Sequence, residues 1–367
     1  MKVIVVSNYY IFHQSALWDN LIAHKDIDLV FLATANDLDD ERKKMKYENE
    51  SSDYVKYSHL LSEEELKEIY KDVDFVIYGL CLDDRVAKLS SDVPHLLVLS
   101  EHLSKRKSFV LNELANFKWF VLDKHYRNTG DRYLLAMSSY AYHDYKLYGF
   151  KNKAYRFGYF PHLEIVSKER EPFSIVWFGR VLSWKRVDLA LYALKYFLEF
   201  DKRYHLDIIG EGDNLKKIKS LTKELGLEES VRFLGFMSHD DIMNVLPTYS
   251  IHMFTSDNGE GWGVALNEGL ASGCLCIANE KAGSSKFLID DNSGFLFKNK
   301  GDLKKIVSKI ASMNNEEKDE CRKNAQKRIS ELWNVKEASN RLYELLLSVY
   351  NHIEFDKYQS GPISKIK

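Results

Sequence analysis

Glu169-Arg170-Glu171-Pro172-Phe173-Ser174-Ile175-Val176-Trp177-Phe178 is a charged stretch marked by proline and followed by a run that is apolar almost throughout. It restarts a series begun far upstream, in Val3-Ile4-Val5-Val6, Leu29-Val30-Phe31-Leu32, Phe75-Val76-Ile77-Tyr78, Leu96-Leu97-Val98-Leu99 and Phe120-Val121-Leu122. The second series continues in Leu206-Asp207-Ile208-Ile209, Val231-Arg232-Phe233-Leu234, His252-Met253-Phe254 and Leu275-Cys276-Ile277-Ala278. Runs that are apolar rather than alternating belong to strands covered on both faces, and the helical patterns between them supply the crossovers of a parallel sheet. The expected fold class is α/β: two doubly wound domains, joined near residues 158 to 172, with ligands taken beyond the carboxyl ends of the strands in a cleft between them. The expected divisions are residues 1–160, 161–335 and 336–367. The last comprises a helix from Lys336 to Tyr350, with either local packing or a crossing back to the first half open to it, and a polar tail after Phe355 that should be loosely held.

Composition removes other classes. The 367 residues hold 18 Gly and 5 Pro against 45% hydrophobic residues, which excludes collagen-like and disordered chains. Lys plus Arg number 52 and Asp plus Glu 54, so no global basic field exists to neutralise nucleic-acid phosphates. The cysteines, Cys81, Cys274, Cys276 and Cys321, lack the spacing of a metal knuckle and read as reduced. The apolar run at the start stops at Asn8, too soon for a signal-peptide core, and no run reaches the ~18 residues of a membrane span.

Three segments carry candidate chemistry. In Asp257-Asn258-Gly259-Glu260-Gly261-Trp262-Gly263-Val264-Ala265-Leu266-Asn267-Glu268, alternate glycines let backbone approach a ligand, and the helical pattern beyond points unpaired N–H groups at the same place. An anion suits that site. Glu260 and Glu268 stand eight residues apart, about 12 Å if both lay on one helix, too far to share a metal ion but suited to an elongated, hydroxyl-bearing ligand. In Trp177-Phe178-Gly179-Arg180-Val181-Leu182-Ser183-Trp184-Lys185, a strand runs into a loop with Arg180 as a fork and Lys185 as a point charge for phosphate. Asp207-Ile208-Ile209-Gly210-Glu211-Gly212 is a strand running into Gly-x-Gly, without a P-loop lysine, a full dinucleotide fingerprint or a metal-binding acid cluster.

Together, in this order over residues 174 to 300, these segments resemble the donor domain of the retaining GT-B glycosyltransferases of family 4. Glu260 and Glu268 match its E-x7-E signature, Gly179, Arg180 and Lys185 its G-R loop, and Gly210 and Gly212 its G-x-G. The resemblance implies the GT-B fold, two Rossmann-like domains, and metal-independent sugar transfer from a nucleotide-diphospho-sugar, UDP first and GDP as the alternative, with no further cofactor. It implies that Arg180 and Lys185 hold the diphosphate, Glu260 the donor sugar and Glu268 the ribose, with Gly261, Trp262 and Gly263 lining the donor site. Two departures stand out: Arg186 replaces the glycine usual after the lysine, and Asn8-Tyr9-Tyr10-Ile11-Phe12-His13-Gln14 replaces the Gly-Gly loop after the first strand.

The first half is similar to bacterial surface-polysaccharide members, which implies a glycan or lipid-linked acceptor. The family also implies a histidine near the anomeric carbon, for which His102 is the candidate, with Glu101 beside it and His13 as the alternative. The expected location is the cytoplasm, free or at the inner face of the cell membrane; Tyr9, Tyr10, Phe12, Tyr140 and Tyr142 either meet a lipid interface or merely pack, and Lys105-Arg106-Lys107 either touches anionic lipid or acceptor phosphate or forms a solvated face. Other readings on the same architecture are a sugar-nucleotide epimerase or phosphorylase, and a nucleotide-sugar-binding protein without turnover, the last motivated by Arg186 and the missing Gly-Gly loop.

Overall fold

The apolar runs form strands, and their inward side chains account for the cores. In a computed structural model, the structure describes residues 1–10, 12–35, 52–101, 131–145, 150 and 153–366. The run Phe120-Val121-Leu122 lies outside the described residues. The chain divides into two compact units, Met1–His162 with Trp333–Lys367, and Leu163–Leu332. The C-terminal helix therefore belongs to the first unit, which is the crossing back that the sequence left open beside local packing.

In the first unit, β1 (Lys2–Ser7), β2 (Asp28–Ala33), β3 (Val55–Tyr57), β4 (Phe75–Tyr78), β5 (His95–Ser100), β6 (Asp131–Ala136) and β7 (Ala154–Arg156) form one sheet in the order β3-β2-β1-β4-β5-β6-β7. Every pairing is parallel, with Val3 in register with both Leu29 and Phe75. Val3, Ile4, Val5 and Val6 are buried, as strands covered on both faces require, each contributing roughly 1.5–3 kcal/mol of apolar burial. The helix Val335–Tyr350 packs along the helix Phe12–Ile22 and buries Ala338, Leu342, Leu345, Leu346 and Val349. At the far end, Tyr343 stacks on His24 with ring centroids 3.9 Å apart and donates to Asp26.

Of the two readings of Tyr10, packing holds: the ring is buried edge-on against Phe31 at 4.9 Å and against Tyr54 at 5.9 Å. One expectation fails: the tail after Phe355 is not loose. Ile363 and Ile366 donate their N–H groups to the carbonyls of Arg156 (2.7 Å) and Ala154 (2.8 Å), and the Arg156 N–H donates to Ser364 (2.9 Å). Arg341 reaches from the terminal helix to the Ser360 and Pro362 carbonyls while its guanidinium lies 3.9 Å over the Tyr358 ring. The physical reason is the edge of β7, whose backbone groups would otherwise be unpaired and which the tail covers with the fully buried Ile363.

In the second unit, β8 (Glu171–Phe178), β9 (His205–Ile209), β10 (Val231–Gly235), β11 (Tyr249–Phe254), β12 (Leu275–Asn279) and β13 (Phe295–Phe297) form a parallel sheet in the order β10-β9-β8-β11-β12-β13. Ile175, Trp177, Leu206, Ile208, Ile251, Met253, Leu275 and Ile277 pack with Ala190, Leu191 and Leu194 of the helix Val187–Phe197. The four cysteines are free, with Cys274 and Cys276 buried. His252 on β11 is also buried: it stacks on Phe178 with centroids 4.7 Å apart, and burial pushes its pKa down to about 3.

Candidate active site

The strand order of the second unit reverses between β8 and β11, and the crevice beyond the carboxyl ends of such a pair is where open parallel sheets take their ligands. Both loops leaving that point are the ones the sequence singled out. After β8, Gly179 donates to the Ile209 carbonyl (3.0 Å), Val181 to Glu211 (2.8 Å), and Asn214 back to Val181 (3.0 Å), which laces the Arg180 loop to the Gly210-Glu211-Gly212 loop. The close approach explains both glycines: a Cβ on Gly210 would stand 2.0 Å from the Gly179 carbonyl oxygen, and one on Gly212 2.6 Å from that of Val181. They hold the loop that carries Arg180, whatever they touch beyond it.

Lys185 ends a single 3₁₀ turn, Ser183–Lys185, and Arg186 follows with φ 51° and ψ 45°. That left-handed conformation is the reason a glycine usually stands there. Arginine adopts it at a cost of about 1–2 kcal/mol, offset in part by a two-pronged ion pair to Asp188 at 2.9 Å. The departure at Arg186 thus leaves the backbone path of the loop intact.

Thr255, the first residue after β11, donates to the Lys185 carbonyl (2.7 Å) and accepts from the Trp177 indole (2.9 Å), while the Asp257 N–H donates to the Trp184 carbonyl (2.8 Å). These bonds bring the two loops together. The Lys185 ammonium consequently pairs with Oε2 of Glu260, to which the Ser256 hydroxyl also donates at 2.8 Å. The two charged side chains are only 17% and 14% exposed. Charge interactions there are far less screened than on an open surface.

Gly263 has φ 87°, and a Cβ on it would lie 2.3 Å from the Phe254 ring. The turn therefore presses against the end of β11 before the helix Ala265–Ala271 begins. Val264 caps that helix without a side-chain hydrogen bond, and the Leu266 N–H donates back to the Gly263 carbonyl at 3.1 Å. Two expectations change. Glu260 lies in the turn before the helix, so the 12 Å spacing drawn along a helix axis from Glu260 to Glu268 does not describe the pair. Trp262 is 1% exposed and donates its indole N–H to Asn267 at 2.9 Å, so its side chain serves the core and only its backbone can line a ligand.

Glu268 is buried on the helix, and Oε1 is held by Nε2 of His239 at 3.0 Å. That bond lifts the His239 pKa above the ordinary histidine value. Ser256 and His239 were not singled out in the sequence. Ser256, two residues after β11 ends, had a signal in its closeness to Glu260; His239 had none, since no spacing pairs it with Glu268. Arg180 is half-buried directly after Gly179, and Glu101 half-buried directly after β5. His102 and Lys105-Arg106-Lys107, together with the side chain of His13, lie outside the described residues. Among the described residues no three His, Cys, Asp or Glu side chains gather as metal ligands.

Two cations and an acid thus stand on the loops that leave the switch point of a parallel sheet. Residues 162–328 match the family described as Glycosyl transferases group 1. The UDP-N-acetylglucosamine–peptide N-acetylglucosaminyltransferase GtfA subunit of Streptococcus gordonii is 26% identical over 140 residues, 38% of this chain and 27% of that one. The putative colanic acid biosynthesis glycosyltransferase WcaL of Escherichia coli K12 is 23% identical over 183 residues, 48% of this chain and 45% of that one. The chain thus spans less than half the length of these curated relatives. Among solved structures, Anabaena Alr3699/HepE in complex with UDP superposes with a TM-score of 0.66 at 16% identity, covering 95% of this chain and 100% of the other. The fold is GT-B, built of two Rossmann-like domains.

Proposed function

We propose that the chain is a retaining, metal-independent glycosyltransferase of surface polysaccharide synthesis, which moves a sugar from a nucleotide-diphospho-sugar to a glycan or lipid-linked acceptor. The observation that carries this reading is the Lys185–Glu260 pair, braced by Ser256 and Thr255 at the β8/β11 switch point with Arg180 on the same loop. The polysaccharide names of relatives and the UDP in the superposed structure support it, with UDP as the first expectation for the base and GDP as the second.

Breaking the sugar–phosphate bond leaves positive charge on the ring and puts negative charge on the departing diphosphate. Lys185 and Arg180 meet that charge as prealigned donors, the strongest kind of transition-state help. Glu260 then accepts from a sugar hydroxyl while it keeps Lys185 in place. In a front-face reaction the departing phosphate oxygen takes the acceptor hydroxyl's proton as the new C–O bond forms on the face the phosphate leaves. The configuration is kept with no enzyme nucleophile and no metal.

The acceptor falls to the first unit, whose sheet reverses order between β1 and β4. The loop leaving β4 holds Leu80 and Leu82 at 60% and 59% exposure, braced by the Leu82 N–H donating to Thr34 at 3.0 Å. Such leucines suit a lipid-linked acceptor presented at the inner face of the membrane. No helix among the described residues is long and apolar enough to cross one.

The test is a thermal-shift screen of UDP-, GDP- and ADP-sugars, followed by an anomeric assignment of the product by NMR. A donor at 100 times its Kd should stabilise the protein by about 2.7 kcal/mol. No shift with any donor, or a product of inverted configuration, sinks the reading.

A further inference from the structure

His239 opens the helix His239–Val245, which Ser238 caps by accepting from the Asp241 N–H at 3.1 Å. This fixes the imidazole's backbone, and the ring reaches across to the buried carboxylate of Glu268. The ring is itself 48% exposed and Glu268 only 8%, so His239 meets solvent protons and Glu268 feels the result. Glu268, through Nε2, and the exposed Asp240, 3.9 Å from Nδ1, both act on the ring.

We propose that His239 is a positioning residue for donor binding, fixing Oε1 of Glu268 by hydrogen bond and, when protonated, cancelling the carboxylate's charge before an anionic donor. The inference rests on the donor-site reading above and names a control on the same site. A neutral imidazole can still donate Nε2–H to Glu268, so the hydrogen bond survives at every pH. The charge does not. With His239 neutral, a phosphoanhydride meets a bare, poorly screened carboxylate; with His239 protonated it meets a neutral pair. Donor affinity should fall as the pH rises through the histidine's titration, which the bond to Glu268 holds above the ordinary range. By reciprocity, bound donor should raise the protonated fraction of His239.

The experiment measures the Kd of UDP-glucose, whose diphosphate bridge stays ionised throughout, by calorimetry between about pH 6 and about pH 9, with GDP-mannose as second donor and uncharged uridine as control. Wild type should lose roughly fivefold in affinity for the charged donor, the low end of typical site coupling, and little for uridine. His239→Gln keeps a donor to Glu268 but no titratable charge, and should flatten the profile at the weaker, high-pH affinity. Glu268→Gln keeps the titrating imidazole but removes the carboxylate that raises its pKa, and should move the fall in affinity to lower pH. A His239→Gln protein that binds donor with the wild-type pH profile overturns this inference and leaves the donor site standing. Equal weakening for uridine also overturns it. Failure of both nucleotide sugars to bind at any pH overturns the donor-site reading together with it.

Discussion

Replacing Lys185 by Met keeps most of the side chain's length and removes only its charge, so it asks two separate questions of one atom. Glu260 would keep the Ser256 hydroxyl but lose the Lys185 ammonium at a position 14% exposed. Stranding a fully buried charge costs about 3–5 kcal/mol; with the residual exposure and the remaining hydroxyl, about 2 kcal/mol of folding stability should be lost. Turnover should fall further, by the roughly 100- to 1,000-fold seen when one prealigned donor to a developing anion is removed. The double variant Lys185→Met with Glu260→Gln separates the two effects. It holds no stranded charge, so urea unfolding should show it more stable than Lys185→Met alone, while radiolabelled-sugar transfer stays as low. Transfer by Lys185→Met within threefold of wild type would refute the catalytic argument. A double variant no more stable than the single would refute the argument that Glu260 needs its counter-ion.

Three other outcomes follow from particular contacts. Arg186→Gly, which relieves the left-handed strain but loses the Asp188 pair, should leave the unfolding free energy within about 1 kcal/mol of wild type, whereas Arg186→Val, a β-branched residue at φ 51°, should cost at least about 2 kcal/mol, both by chemical denaturation. His252 has a folded pKa of about 3, below its unfolded value near 6.5, so its contribution is full above about pH 6.5 and is lost as the pH falls towards 3, by up to about 5 kcal/mol; His252→Gln should flatten that acid limb in a pH series of unfolding curves. Truncation after Phe355 uncovers β7, strips Arg341 of two carbonyl partners and removes the buried Ile363, and should lower stability by at least about 3 kcal/mol and promote aggregation on gel filtration.

What the sequence disclosed depended on how locally each feature is encoded. Val3–Val6 and Ser174–Phe178 read correctly because a parallel strand must be apolar on both faces, a property visible within the strand itself. Lys185 and Glu260 were legible as candidates through the loops that carry them, but their pairing came from Thr255 and Trp177, whose hydroxyl-to-indole bond has no sequence signature. The His239–Glu268 bond joins residues 29 apart on two helices. The tail misled because Gly361-Pro362-Ile363-Ser364 has neither period, and what it pairs with is backbone rather than a complementary side-chain pattern. Arg186 misled in another way: the residue departs from the motif while its φ and ψ do not.

The first unit is written in two pieces, residues 1–162 and 333–367, with the whole second unit spoken between them. On the ribosome, residues 163–332 can complete their fold while the earlier-made sheet still waits for its closing helix and for the strap along β7. Maturation then runs against the order of translation. Chaperone capture during biogenesis should concentrate on nascent chains that have passed residue 162 but not yet reached 333, the interval in which an unprotected parallel edge has to be kept from other chains.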